Sequence, residues 1–219
     1  MNCRASPRRI IGAVLLAAFA PRFFPVLLAF PYQASAGAFE VWSEQPIDQP
    51  RLDAIVADAT TRMAASPLYR APERRRIFLT QGGWRWSWLA LNMRGAFAFS
   101  PPLTGGIVVN RSSLAEDAVW ADRAVGGRRT LAGILAHESC HEMERRHFGL
   151  ASDWTKPVWL REGYCDYVAQ ESSLSDADYA ALRARSVNHP AMAYLEGRRR
   201  VAAELAANGG NVDALFAAH

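Results

Sequence analysis

The stretch HESCHEMERRH, residues 137–147, contains residue types at a spacing that suits metal chemistry. His137 and His141 are four residues apart, and Glu138 follows the first histidine. In an α-helix, residues at i and i+4 differ by about 40° around the axis, so both imidazoles project from one face. Two neutral imidazoles bind Zn²⁺ well, and a neighbouring carboxylate can take a proton from a zinc-bound water as it attacks a polarised carbonyl. The pattern therefore predicts a zinc site held by His137 and His141, with Glu138 as general base.

One candidate for the third zinc ligand is His147, which follows His137 by ten residues. This spacing occurs in metzincins, whose HExxHxxGxxH pattern has a glycine that lets the chain turn back towards the metal. Here that position is Glu144. If the helix continues, His147 lies about 120° around from His141 and points away from the zinc. A metzincin-like site using His147 is therefore the alternative.

The other candidate is Glu162 in WLREG, residues 159–163, on a second predicted helix that opens near Pro157. WLREG resembles the WLxEG element of aminopeptidase-N-like enzymes, and Glu162 followed by Asp166 resembles the ExxxD of thermolysin-like enzymes. Both groups are gluzincin metallopeptidases. The resemblance implies that Glu162 is the third ligand of one Zn²⁺ per chain. It also implies that Asp166 hydrogen-bonds a zinc-binding histidine and orients its ring.

The segment GAFAFSPPLTGGIVVN, upstream of the HExxH motif, resembles the edge strand and neighbouring strand of peptidase-MA-like proteins, a small gluzincin group. This resemblance spans roughly residues 39–205. It implies an α+β, zincin-like fold in which a small mixed sheet precedes an HExxH active-site helix and a helical C-terminal part. An extended peptide would then pair with the edge strand through backbone hydrogen bonds, with an ordinary buried strand as the alternative. The candidate edge-strand residues are Gly95, Ala96, Phe97, Ala98 and Phe99.

A residue that stabilises the oxyanion is expected in such an enzyme, and the candidates are Tyr164, Tyr167, His189 and Tyr194. YLEG, residues 194–197, resembles the YxxG of aminopeptidase-N-like enzymes and favours Tyr194. No GxMEN signature is present, so aminopeptidase specificity is not implied. The function predicted is zinc-dependent hydrolysis of a peptide or protein substrate, with endopeptidase and exopeptidase action both open. A non-catalytic zinc-binding scaffold is the alternative from another functional class.

The elements that must position these residues follow from apolar periodicity and turn signals. Helical patterns cover 47–66 and the chain from about Thr130 onward, with Thr130 as N-cap and Gly149 as C-cap of the HExxH helix. The segment 80–93 fits either a helix or a strand, and its tryptophans are expected in the core. Strands are predicted over FEVWSE (39–44), RIFLT (76–80), GAFAFS (95–100) and GIVVN (106–110).

The N-terminus is typical of an export segment. Three arginines precede the apolar run IIGAVLLAAFA, and Ala34 and Ala36 are spaced as an A-x-A cleavage site. We therefore predict a signal peptide over 1–36 and a metallopeptidase domain over 37–219, strand-rich over 37–128 and helical over 129–219. If uncleaved, the segment 10–30 would anchor the chain in the cell membrane. Either way the domain is expected outside the cytoplasm.

Charge and cysteine content add two constraints. Residues 1–36 hold four of the 25 basic residues and none of the 21 acidic ones, which leaves 21 of each in the domain. Nucleic acid is therefore not expected as a partner. Cys140 and Cys165 follow His137 and Glu162 by three residues each, and an exported protein can oxidise such a pair. Two reduced, buried cysteines are the slightly favoured expectation.

Overall fold

The computed structural model describes residues 20–21, 24–102, 105–122 and 125–219. They form a mixed α/β structure in which a five-stranded sheet packs against helices and a smaller three-stranded sheet lies beside it. Most of the predicted export segment, residues 1–19, lies outside the described residues. Within the described part of the chain, no helix has both the length and the apolar character needed to cross a membrane.

The strands of the larger sheet are β1 (Tyr32–Ala36), β2 (Phe39–Ser43), β3 (Arg75–Leu79), β4 (Ala98–Phe99) and β5 (Gly106–Val109). Their order in the sheet is β1-β2-β3-β5-β4. The three central strands run parallel, while β1 and β4 are antiparallel edge strands. The expected strands over 39–44, 76–80 and 106–110 are present, each shortened or shifted by one residue.

The predicted edge strand over Gly95–Phe99 is much shorter than expected, because only Ala98 and Phe99 form β4. The backbone N–H of Ala96 donates to the carbonyl of Met93 at 2.9 Å and closes a turn. Asn110 binds the next two carbonyls: its side-chain amide donates to the carbonyl of Ala96, and its backbone N–H donates to the carbonyl of Phe97. A local turn and an asparagine side chain therefore replace strand pairing at Gly95 and Ala96, while the backbone bond between Asn110 and Phe97 continues the pairing of β5 with β4 by one residue.

Strand β1 lies inside the segment predicted as a signal peptide. It pairs with β2 along its whole length, from Tyr32 opposite Ser43 to Ala36 opposite Phe39. The side chain of Ala36 is 3% exposed and belongs to the main core. Cleavage after Ala36 would remove an edge strand from this sheet.

Helices cover both faces of the sheet and form a second core of their own. On one face, the first helix and the HExxH helix pack against the strands, and on the other face the short helix containing Trp86 covers Trp42 and Phe78. The C-terminal helices pack on the far side of the HExxH helix around Tyr164 and Phe216. The helices are α1 (Gln49–Ala64), α2 (Trp84–Ala90), α3 (Leu131–Phe148), α4 (Ser152–Thr155), α5 (Val158–Ala169), α6 (Asp176–Ala184), α7 (Pro190–Ala207) and α8 (Val212–Ala217).

Two parts of the sequence form elements that the apolar pattern did not predict or resolve. The segment 80–93 is helical, and only one of its tryptophans is in the core: Trp86 is 3% exposed, whereas Trp84 is 62% and Trp88 is 45% exposed. The expectation of core packing is therefore wrong for Trp84 and Trp88.

The small sheet consists of β6 (Arg111–Ser113), β7 (Ala118–Trp120) and β8 (Arg128–Arg129). These strands are only two or three residues long, too short for a recognisable alternation.

Candidate metal centre

The HExxH helix α3 begins and ends as the sequence predicts. The side chain of Thr130 accepts a hydrogen bond from the backbone N–H of Gly133, and the helix ends at Gly149, whose φ is 85°. Glu171 accepts hydrogen bonds from the backbone N–H and the hydroxyl of Thr130. This carboxylate lies so close to Gly133 that a Cβ there would overlap it. The start of α3 is therefore fixed by a cap and by a partly buried acidic partner.

Three of the predicted ligands converge on one point. Oε2 of Glu162 lies 3.3 Å from Nε2 of His137 and 3.5 Å from Nε2 of His141. The ligand atoms of the three residues all lie within 4.8 Å of one another. Tetrahedral ligands at zinc bond lengths of ~2.0–2.1 Å are ~3.3 Å apart, so these separations fit such an ion. His137, His141 and Glu162 are therefore a candidate metal-binding group.

Asp166 supports the first histidine, as the resemblance implied. Its Oδ1 lies 2.8 Å from Nδ1 of His137 and 3.1 Å from Nη1 of Arg129, and its side chain is fully buried. Burial alone would raise the pKa of Asp166, but Arg129 and His137 lower it below its usual range. Asp166 therefore stays a carboxylate beside Nδ1 of His137, a position from which it can orient the ring with Nε2 towards the candidate metal site.

Glu144 lies beside His141 as Asp166 lies beside His137, and the sequence interpretation missed it. Its Oε2 lies 3.4 Å from Nδ1 of His141, and the residue is 1% exposed. Burial raises the pKa of Glu144, and the neighbouring His141 opposes that shift. The sequence signal was an acidic residue three positions after His141, one turn along the same helix. In the metzincin pattern the same position is a glycine.

His147 lies away from this group. Its Nε2 contacts Oδ1 of Asp213 on α8. The last turn of α3 stays helical because its two arginines bind acidic residues elsewhere: Arg145 binds Asp153 and Arg146 binds Glu73. The helix therefore carries His147 past the metal-binding face, and this geometry does not support the metzincin-like alternative.

The two cysteines are joined in a disulfide between α3 and α5, with their Cα atoms 5.3 Å apart. The expectation of two reduced cysteines is therefore wrong. Two helices that converge on one set of ligands also bring their flanks together, and sequence spacing alone cannot establish that distance. Sγ of Cys165 lies 3.4 Å from Nδ1 of His141. The bridge thus connects the helix that holds both histidines to the helix that holds Glu162.

A cavity of about 760 Å³ opens over the three candidate ligands. Glu138 lines it and is 7% exposed. All five residues of the predicted edge segment 95–99 form part of its wall, although only two of them are in β4. Tyr194 also lines it, and burial together with the charge of Glu162 raises the pKa of its hydroxyl to about 12. Glu138, the candidate general base, Tyr194, the candidate hydroxyl donor, and strand β4 therefore line the same cavity.

The other candidates for the oxyanion role are placed differently. Tyr164 is 1% exposed and its hydroxyl shares a hydrogen bond of 2.7 Å with Ser66. Tyr167 is 41% exposed and does not line the cavity. His189 does line it, but its Nδ1 accepts a hydrogen bond from the backbone N–H of Ala191 and caps α7. Tyr194 is therefore the one tyrosine among these candidates that lines the cavity.

No family model matches this chain, and neither a curated protein nor a solved structure matches it.

Proposed function

We propose that this protein is a zinc-dependent metallopeptidase of the gluzincin type that hydrolyses peptide bonds. The observation that carries the proposal is the convergence of His137, His141 and Glu162 at separations that suit a tetrahedral zinc. These ligands come from two helices and face a cavity large enough for a peptide segment. Zinc in such a site supplies a Lewis acid that polarises a carbonyl and lowers the pKa of water.

The roles of the protein's own groups follow from their positions. Glu138 would take a proton from the attacking water and pass it to the leaving amine. A tyrosine hydroxyl is ordinarily protonated in the physiological range and burial raises the pKa of Tyr194 further, so this hydroxyl can donate a hydrogen bond to the developing oxyanion. Neither residue is needed to hold the metal. Their presence in the cavity favours an enzyme over a non-catalytic scaffold.

The substrate would bind along the sheet edge. Strand β4 pairs with β5 on one side only, and Ala98 and Phe99 line the cavity. An extended peptide adding to this edge would gain backbone hydrogen bonds, and its scissile carbonyl would lie near the metal site. The mixed sheet with an antiparallel edge strand above the HExxH helix also supports a zincin-like fold. The proposed substrate class is therefore an extended peptide or an unstructured protein segment.

An exported location is part of the same proposal. The buried disulfide between Cys140 and Cys165 is of a kind that persists in oxidising compartments and is rare in the cytosol. The basic and then apolar N-terminal sequence supports export as well.

The test compares Glu138→Gln with the parent protein, both loaded with zinc. We expect the variant to keep one zinc per chain and to hydrolyse casein and a peptide library at least ~100-fold more slowly, because it loses the base but no ligand. Glu142→Gln is the matched control, since Glu142 is on the same helix and its side chain is 28% exposed. Equal turnover of parent and Glu138→Gln would rule out this mechanism. Zinc binding by a parent that hydrolyses nothing would favour the scaffold.

A further inference from the structure

Large apolar side chains are exposed in two short segments of the structure. In the first, Phe24 is 56%, Val26 is 42% and Leu27 is 59% exposed. In the second, Trp84, Trp88 and Leu91 are 62%, 45% and 39% exposed, followed by Met93 at 43%. Trp84 and Trp88 are four residues apart and share one face of α2, while Trp86 packs into the core from the other face.

The two segments are held side by side by Arg85. Its Nε donates to the carbonyl of Leu28 at 2.9 Å, and its Nη2 donates to the carbonyl of Ala29 at 3.1 Å. The guanidinium also lies 4.7 Å from the Trp84 ring centroid and 5.5 Å from that of Phe30. We call the resulting surface, formed by residues 24–28 and 84–93, the tryptophan face.

Few charges belong to the two segments that form this face. The sequence contains no Asp or Glu from Arg74 to Ala115, or from Phe24 to Phe39. Oε1 of Glu44 lies 3.0 Å from Nη1 of Arg85, so the charge of Arg85 is paired. Arg94 is exposed at the end of the second segment, where its Nε donates to the carbonyl of Ser87. The exposed charge that adjoins the second segment in sequence is therefore positive.

We propose that the tryptophan face lies on the surface of a membrane that contains anionic lipids. The sequence favours a membrane as the partner of this face, because the apolar sequence that begins at Ile10 continues to Phe24 and Leu27. Exposed tryptophans favour the boundary between acyl chains and headgroups, and the exposed Arg94 beside them attracts anionic headgroups. Mutual burial of this face between two copies is the competing arrangement, and the experiment below distinguishes it. The proposal does not depend on peptidase activity.

The position of the face also constrains how the cavity is reached. Met93 belongs to the tryptophan face and lines the cavity over the candidate metal centre. A protein lying on its tryptophan face would therefore open its cavity beside the membrane surface. This consequence, unlike membrane contact itself, rests on the proposed peptidase function: the substrates would be segments of membrane proteins or lipid-attached peptides close to the bilayer.

The test uses the full chain in vesicles of phosphatidylglycerol and phosphatidylethanolamine whose acyl chains carry bromine, which quenches tryptophan fluorescence on contact. We expect bromolipid to quench part of the emission of the parent. In the double variant Trp84→Ser, Trp88→Ser, that quenched fraction should fall at least two-fold. The matched control is Trp154→Ser, because Trp154 is 73% exposed and lies on α4, outside the tryptophan face. This control should leave bromolipid quenching unchanged.

Three results would overturn the proposal. The quenched fraction would be the same in the parent and in the double variant if these tryptophans do not reach the lipid. If aqueous iodide quenches the fluorescence of Trp84 and Trp88 equally with and without vesicles, the tryptophan face stays in water. Protection of Trp84 and Trp88 from both quenchers would show that a second copy covers them.

Discussion

Gly163 and Gly197 touch where helix α5 crosses helix α7. A Cβ on Gly163 would overlap the carbonyl carbon of Gly197, and a Cβ on Gly197 would overlap the carbonyl oxygen of Trp159. Gly163 directly follows the candidate ligand Glu162, and Gly197 lies three residues after Tyr194. The two glycines therefore set the spacing between the helix that holds a ligand and the helix that holds the proposed hydroxyl donor.

The first prediction concerns this crossing. Gly197→Ala should lower the free energy of unfolding by about 1–3 kcal/mol, because the backbones must separate to admit a methyl group. Denaturant unfolding measures the change. Gly83→Ala is the control, since nothing lies within 4 Å of a Cβ at that position. Equal stability of the two variants would show that α5 and α7 do not need close contact.

The second prediction concerns the third ligand. Glu162→Ala should lose zinc at a concentration where the parent holds one ion per chain, because only two protein ligands remain. His147→Ala should keep the metal, since His147 binds Asp213 rather than the ligand group. Zinc content after dialysis against a weak chelator is the measurement. Zinc loss from His147→Ala with retention by Glu162→Ala would transfer the third-ligand role to His147.

The third prediction concerns the two carboxylates behind the histidines. Glu144→Gln and Asp166→Asn should each weaken zinc binding by roughly 10–100-fold, because the ring that each residue orients would be less well held. Competition with a chelator of known affinity gives the dissociation constants. Glu142→Gln serves as the control on α3. If Glu144→Gln binds zinc as tightly as the parent, Glu144 does not position His141.

The fourth prediction concerns Tyr194. With zinc bound, Tyr194→Phe should lower kcat by roughly 10–100-fold, because one oxyanion donor is lost. KM should change little, since the donor acts mainly in the transition state. Because burial disfavours ionisation of this hydroxyl, the shape of the pH–rate profile between pH 6 and 9 should be the same in both proteins. A new inflection in that range would argue against a neutral donor.

The fifth prediction is a dependence of stability on pH. Burial alone would raise the pKa of Glu73, but Arg146 and Arg75 lower it below the ordinary value of 4.5. A carboxyl whose pKa is lower in the folded state stabilises that state above the unfolded pKa, and this contribution disappears as pH falls through the folded pKa.

Replacing Glu73 tests this contribution. Glu73→Gln should lower the free energy of unfolding by about 2 kcal/mol at pH 7. This loss is smaller than for a fully buried ion pair, because the side chain of Arg146 is 36% exposed. Denaturant unfolding from pH 7 to 3 should show the difference between the parent and the variant shrinking below pH ~4.5. A constant difference across that range would mean that this carboxyl does not titrate with folding. Glu116→Gln, at an exposed position, is the control.

The sequence predicted the parts of the structure that have a strong local pattern. The cap at Thr130, the end at Gly149 and the shared face of His137 and His141 all follow from helical periodicity and capping chemistry. The central strands are apolar runs bounded by turns and were also predicted. The convergence of Glu162 on the histidines was suggested by resemblance, and the geometry of the structure agrees with it.

The features that were missed depend on contacts distant in sequence or on very short elements. Asn110 determines where β4 begins, through bonds to Ala96 and Phe97. Strand β1 was obscured because its alanines also fit a cleavage site. His141, the partner of Glu144, is close to it in sequence, but the burial of Glu144 comes from packing in three dimensions. Helical periodicity alone shows which residues share a face and not which of them are buried.

The disulfide between Cys140 and Cys165 closes the intervening chain into a covalent ring, and that ring contains both His141 and Glu162. The exposed turn around Trp154 is part of the same ring. A protease that nicks this turn would divide the candidate ligands between two polypeptides, with His137 and His141 on one and Glu162 on the other. The disulfide would still join the two polypeptides until it is reduced. A nicked molecule would therefore keep its three candidate ligands in one covalent unit.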